Sequence, residues 1–270
     1  MTIYVITGAS DGIGAELARQ LAARERGGAT LVLAARSADR LADVAAQCEA
    51  QGAQALAVPT DVSREADCRA LVDTAAQRFG GIDVLVNNAG VSAHALFEEV
   101  GADDLHWYQD LMAINLWGSV WCTHAALPHL KASRGRIVAV SSLAGLVGVP
   151  GRTAYSASKF AMTGFFEALR TELKAAGVTV TIAYPGVVAT ETRRRGWNAQ
   201  GRPAGRSGLK EDAAMPVDVC ARLILEGLLE RRREVVMTAR GKLGRFLKLL
   251  APGKVEDMAL AALAAEAGSR

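Results

Sequence analysis

The chain has 270 residues, 50% of them hydrophobic and 22% charged, enough for one large α/β domain with a substantial core. A formal net charge of +3 is too small to argue for nucleic acid as a partner. Cys48, Cys68, Cys122 and Cys220 form no CxxC pair and no His cluster accompanies them. Neither a metal site nor a disulfide framework is therefore expected, and buried thiols in a reducing compartment are.

The first strand pattern begins at Thr2, with its apolar run at Ile3–Ile6, and enters Thr7-Gly8-Ala9-Ser10-Asp11-Gly12-Ile13-Gly14 directly. No leader precedes it, which predicts a cytoplasmic protein, and no apolar stretch approaches the roughly 20 residues that span a bilayer. Gly8 permits a tight turn, Gly12 lets a pyrophosphate approach the backbone, and Gly14 allows a helix to pack closely on the sheet. Ile13, Leu17 and Leu21 then recur at spacing four, so a helix N-terminus presents N–H groups and a positive dipole end to phosphates. Alone, three glycines could mark only a turn; between strand and helix they predict cofactor binding.

The second run, Thr30–Ala34, ends in Ala35-Arg36. An acidic residue there would bind the ribose hydroxyls of NAD and repel a 2′-phosphate. Arg36 instead suits a phosphate by charge and forked geometry, which favours NADP(H) over NAD(H). Asp11 pulls the other way if its carboxylate points inward. Helical positions Leu41, Val44 and Ala45 follow, then the run Ala55–Val58 and helical Cys68, Leu71, Val72 and Ala75. Runs at Val84–Val86, Ile137–Val140 and Val178–Ala183 continue the alternation, with a last candidate at Glu234–Met237. Short β-branched runs alternating with helices predict a single doubly wound sheet, its strands mostly parallel and buried on both faces.

Tyr155 and Lys159 open a long helical pattern four residues apart, hence on one helix face, with Ser142 upstream. A phenol with an ordinary pKa of about 10 is a poor acid–base near neutrality, and an adjacent ammonium pulls it toward the working range. Thr190–Ala214 is rich in Gly and Arg. Its Arg193, Arg194, Arg195, Arg202 and Arg206 would either attract an anionic substrate, such as a thioester carrier, or form a solvated lid. Leu143, Leu146, Val147 and Val149, with Val91, His94 and Leu96, suggest a mainly apolar pocket. The tail, residues 241–270, carries Leu243, Phe246, Leu247 and Leu250 at helical spacing with Lys242, Arg245 and Lys248 between. Such a stripe packs on its own domain or a partner subunit, or lies on an anionic membrane; packing is expected.

The TGxxxGxG turn, Asn87-Asn88-Ala89-Gly90 and YxxxK together resemble the compact branch of the short-chain dehydrogenase/reductase family over roughly residues 2–237. The resemblance implies one Rossmann domain over 1–240, with a substrate lid near 190–214 and a helical extension after 240. It further implies that Asn115 holds a proton-relay water, Ser142 bonds the substrate oxygen, Tyr155 is the general acid–base, and Lys159 binds the nicotinamide ribose and tunes the Tyr. Gly8, Ser10, Gly12, Ile13 and Gly14 match the phosphate turn, Asp61 and Val62 the adenine contacts, Asn88, Ala89 and Gly90 the adenosine side. Val188 and Thr190 match the loop facing the carboxamide and pyrophosphate. A small carbonyl or alcohol substrate is implied, and a homodimer or homotetramer, to which apolar Phe160, Phe165, Phe166 and Leu169 on the Tyr–Lys helix also point. Other outcomes on the same fold are a lyase or isomerase, or a nucleotide-sensing regulator; regulators typically lose the Tyr or Lys, and this chain keeps both.

Overall fold

The computed structural model describes residues 1–25, 27–191, 195–205 and 214–267, without the side chains of 265–267. Seven strands form one sheet: β1 (Thr2–Thr7), β2 (Ala29–Ala35), β3 (Gln54–Pro59), β4 (Val84–Asn87), β5 (Arg136–Val140), β6 (Thr179–Tyr184) and β7 (Glu234–Val236). Their order is β3-β2-β1-β4-β5-β6-β7, and every neighbouring pair is parallel. The sheet is thus wholly, not mostly, parallel.

Each strand sends alternate residues to opposite faces. Tyr4 and Ile6, with Leu31 and Leu33, meet α1 (Gly12–Glu25), α2 (Ala38–Glu49) and α7 (Val217–Leu229) in one core. Val5, Val32 and Leu85 point the other way, into a second core with α3 (Glu65–Phe79), α5 (Gly118–Ala132) and α6 (Thr153–Glu172). The expected helical positions Leu41, Val44, Ala45, Cys68, Leu71, Val72 and Ala75 all fall in these cores, as do the four cysteines. One expectation needs correction: β3 is exposed or half-buried along its length. It closes one edge of the sheet, where no further strand covers it, and burial on both faces holds only for the inner strands.

A short helix α4 (His106–Met112) leads through a π turn, Ala113–Trp117, into α5. Beyond β7 the chain forms α8 (Ala239–Leu250) and α9 (Pro252–Ala267). These helices rest on the rim beside Ser142: Lys248 Nζ donates to the Leu146 carbonyl at 3.0 Å, and Gly241 lies so near Leu143 that a Cβ would come within 2.4 Å of it. Against its own domain the tail's stripe is not buried. Leu247 is half-buried, but Leu243, Phe246 and Leu250 face outward, because α8 turns the side that bears Gly241 and Lys248 to the domain.

Candidate active site

Order 3-2-1-4 places the reversal of strand order between β1 and β4, where a crevice opens at the carboxyl ends of the strands. One cleft there is lined by Gly8, Ser10, Ile13, Arg36, Asp61, Val62, Asn88, Ala89, Gly90, Ser142, Tyr155, Lys159, Val188 and Thr190. Expected positions from six loops and from the helices α1 and α6 thus converge on a single cleft.

The phosphate turn is braced from β4. Asn88 Nδ2 donates to the Thr7 and Gly8 carbonyls at 2.9 and 3.2 Å, while Thr7 Oγ1 accepts from the Asn88 and Ala89 amides at 3.0 and 3.1 Å. Asn88 therefore shapes the turn through its side chain. Gly8 and Gly12 have φ of 67° and 53°, and a Cβ on Gly14 would lie 2.4 Å from the Gly8 carbonyl oxygen. Backbone so close leaves room for glycine only, and the bare turn with the α1 N-terminus behind it fits a pyrophosphate.

At the end of β2, Arg36, Ser37 and Arg40 line the cleft. Asp11 carries its carboxylate to the same place, where Gly12 N donates to it at 2.6 Å, Arg40 pairs with it at 3.5 Å and Arg195 of the lid also pairs with it. The sequence reading missed Arg40 and the Asp11–Arg195 pair. Arg40 lies one helical turn beyond Arg36, a local signal that could have found it; the Arg195 contact crosses 184 positions and had none. Among the other lid arginines, Arg193, Arg194 and Arg206 lie outside the described residues. Asp61 Oδ1 accepts from Ser63 N and Ser63 Oγ at 3.0 and 2.8 Å, which starts α3 and leaves Val62 packed against Gly118. Val188 pairs with Met215 in an isolated bridge that fixes the loop after β6.

The polar centre is built on α6. Its N-terminal turn is tied down by Ser158, whose Oγ donates to the Tyr155 carbonyl at 2.8 Å and accepts from Asn115 Nδ2 at 3.0 Å. Asn115 is fully buried, and its amide also exchanges two bonds with Val91, accepting from its N–H at 2.8 Å and donating to its carbonyl at 3.0 Å. The side chain of Asn115 is thereby committed to bracing the chain after β4. Its place in the π turn matters too: Gly118 N bonds the Ala113 carbonyl, five residues back, instead of that of Ile114, its α-helical partner.

Lys159 is 4% exposed; its Nζ donates to the Val140 carbonyl at 2.9 Å and lies 5.8 Å from the centre of the Tyr155 ring. Burial pushes its pKa down to about 8, so at neutral pH it remains mostly an ammonium, held in a poorly solvated place where its field on the phenol is strong. Gly90 faces both groups: a Cβ there would sit 3.1 Å from Asn115 Oδ1 and 3.6 Å from Lys159 Nζ. Ser142 Oγ accepts from Ala144 N at 3.2 Å, which leaves its own O–H to donate into the cleft. Ser141, its neighbour, instead bonds the Lys159 carbonyl at 3.2 Å and locks α6 to the end of β5.

A family model described as short chain dehydrogenase matches residues 2–200. The chain belongs to the short-chain dehydrogenase/reductase family. Over 261 residues it is 37% identical to 11-beta-hydroxysteroid dehydrogenase 1A of Arabidopsis thaliana, covering 94% of this chain and 73% of that one. It is 38% identical to 11-beta-hydroxysteroid dehydrogenase A of Sesamum indicum over 260 residues, with the same coverage. Among solved structures it is similar to a short chain dehydrogenase/reductase of Burkholderia phymatum in complex with NAD, with a TM-score of 0.80 and 28% identity, covering 96% and 95% of the two chains. An alcohol dehydrogenase of the archaeon Thermococcus sibiricus, complexed with 5-hydroxy-NADP, superposes with a TM-score of 0.72 at 28% identity, covering 87% and 94%. This member of the family is accordingly an NAD(P)-dependent oxidoreductase acting on CH–OH groups.

The expected apolar pocket is only partly present. Val91 lines the cleft, Leu143 and Leu146 are half-buried against the second core beneath the tail, and His94 is hydrogen-bonded to Arg152, which lines the cleft beside Tyr155.

Proposed function

We propose that this protein moves hydride between NADP(H) and a carbonyl or secondary alcohol, with Tyr155 as general acid–base. The observation that carries the reading is the buried Lys159 ammonium beside the Tyr155 ring, in the cleft where Ser142 presents its hydroxyl. Bound against the glycine turn, the nicotinamide cofactor supplies or accepts the hydride. In the reducing direction Ser142 Oγ–H donates to the carbonyl oxygen and holds it as negative charge develops. Tyr155 Oη then delivers its proton to that oxygen, and Lys159 stabilises the phenolate left behind. With the Asn115 side chain committed to Val91 and Ser158, a relay water that returns the proton to Tyr155 would be held by Asn115 through the main chain of its π turn. The hydroxysteroid dehydrogenases to which the chain is similar make lipophilic secondary alcohols and ketones the first substrates to test. Turnover of such a panel, scored with both cofactors, tests the reading; a regulator would bind the nucleotide and turn nothing over.

NADPH is favoured because Arg36, Ser37 and Arg40 converge at the end of β2, and because Asp11 is neutralised by Arg40 and Arg195. With its carboxylate paired, Asp11 no longer repels a 2′-phosphate. Arg36→Ala is expected to weaken NADPH roughly tenfold and leave NADH unchanged, as a charge-assisted contact of about 1.5 kcal/mol requires. Titrating cofactor fluorescence against both variants checks this, and a wild-type preference for NADH overturns it.

A homo-oligomer is also proposed, on a different residue from those expected. Phe166 and Leu169 are buried in the core and Phe165 is half-buried against Phe166, so of the α6 stripe only Phe160 stays exposed, at 36% and beneath Lys248. Trp117, the last residue of the π turn before α5, is 49% exposed and stacks on Trp121, which is half-buried against the second core. Trp117→Glu should lower the mass measured by light scattering at micromolar concentration; a wild type that is already monomeric would contradict the proposal.

A further inference from the structure

We infer that α8 is a docking helix for an anionic lipid bilayer. The helix carries Arg240, Lys242, Arg245 and Lys248 and no acidic residue. Leu243, Phe246, Leu249 and Leu250 are 53%, 59%, 80% and 69% exposed. At 3.6 residues per turn these four fall within about a third of the circumference, with Lys242 among them and Arg240 at the flank. An apolar stripe edged by cations is the pattern of a helix that lies in a membrane interface, its rings and aliphatic chains in the acyl boundary and its cations among the headgroups.

The orientation is held by the fold. Gly241 packs on Leu143, Lys248 binds the Leu146 carbonyl with its Nζ 4.6 Å from the centre of the Phe160 ring, and Arg245 pairs with Glu234. All three contacts pin the opposite side of α8 to the domain, so the stripe is fixed outward. A second copy is the poorer occupant. In a two-fold pair the face meets itself, and Lys242 and Arg240 would meet cations with no acid on the face to offset them. The tail's acidic residues, Glu256, Asp257 and Glu266, lie on α9. At 12 residues α8 lies on a bilayer and does not cross it; among the described residues no helix is long and apolar enough to do so. Because α8 covers Leu143 and Leu146, docking would set the rim beside Ser142 against the lipid, where lipophilic substrates dissolve.

The test uses the full chain and vesicles of phosphatidylcholine, alone or with about 30% phosphatidylglycerol. The protein should sediment with the anionic vesicles, release in high salt, and remain in solution with neutral ones. Lys242→Glu should weaken partitioning fivefold or more, the loss expected for at least one interfacial cation, and Phe246→Glu tenfold or more. Both variants should keep the wild-type melting temperature and NADPH affinity, which separates lost docking from lost fold. No binding of the wild type to anionic vesicles, equal binding to neutral ones, or a Phe246→Glu variant that binds as well as wild type overturns the inference. So does a Phe246→Glu variant whose only change is half the solution mass, which would assign the face to a second copy. None of these outcomes bears on the cofactor or on Tyr155, so this inference and the proposed activity fail separately.

Discussion

Tyr155→Phe is expected to lower turnover about 100-fold or more while cofactor affinity stays within a factor of about two. The variant keeps the ring that lies 5.8 Å from Lys159 Nζ and 5.9 Å from the Arg152 guanidinium, so packing at the mouth of α6 is preserved. What it loses is the proton that a nascent alkoxide must receive. Ser142 and the bound cofactor still orient the substrate, and residual turnover through water is the expected remainder. Steady-state rates with paired cofactor titrations check this; near-normal turnover would remove Tyr155 from the role.

Lys159→Met should separate stability from function. Its ammonium is buried with a pKa near 8 against an ordinary 10.5, so the folded chain holds that proton less tightly than the unfolded one. Between about pH 8 and 10.5 the unfolded state binds more protons, and stability rises with pH across that window. Below pH 8 the whole cost of burying the cation is present, up to about 3 kcal/mol from the size of the shift. Met fills similar space without the charge but gives up the bond to the Val140 carbonyl, worth about 1 kcal/mol. The cofactor-free variant is therefore expected to be about 2 kcal/mol more stable than wild type at pH 7, with the gain gone by pH 10.5. Turnover should fall roughly 100-fold or more and cofactor affinity should fall with it, since one ammonium serves both. Thermal melts at pH 7 and 10 with rate measurements decide the matter. A variant less stable than wild type at pH 7 would mean that Lys159 is a net structural support.

Local chemistry is legible in this chain because its causes are local. Each of the first six strand runs lies within one or two residues of an observed strand; for the inner strands the reason is that a parallel strand buried on both faces must be a short, unbroken apolar run. Gly8, Gly12 and Gly14 had to be glycine for reasons that backbone geometry alone supplies. Tyr155 and Lys159 share a face because a helix repeats every 3.6 residues. What the tertiary structure alone decided is which distant groups meet. Sheet order carries Asn88 to the Gly8 carbonyl, 80 positions away, and Ser158 to Asn115, 43 away. The lid brings Arg195 to Asp11 and so turns a carboxylate that argued against a 2′-phosphate into one already paired. Periodicity likewise announced an apolar stripe on α8, but a stripe has no direction until its helix is docked. Contacts of Gly241 and Lys248 with Leu143 and Leu146 turned that stripe outward, and no pattern within residues 239–250 could have told inside from outside.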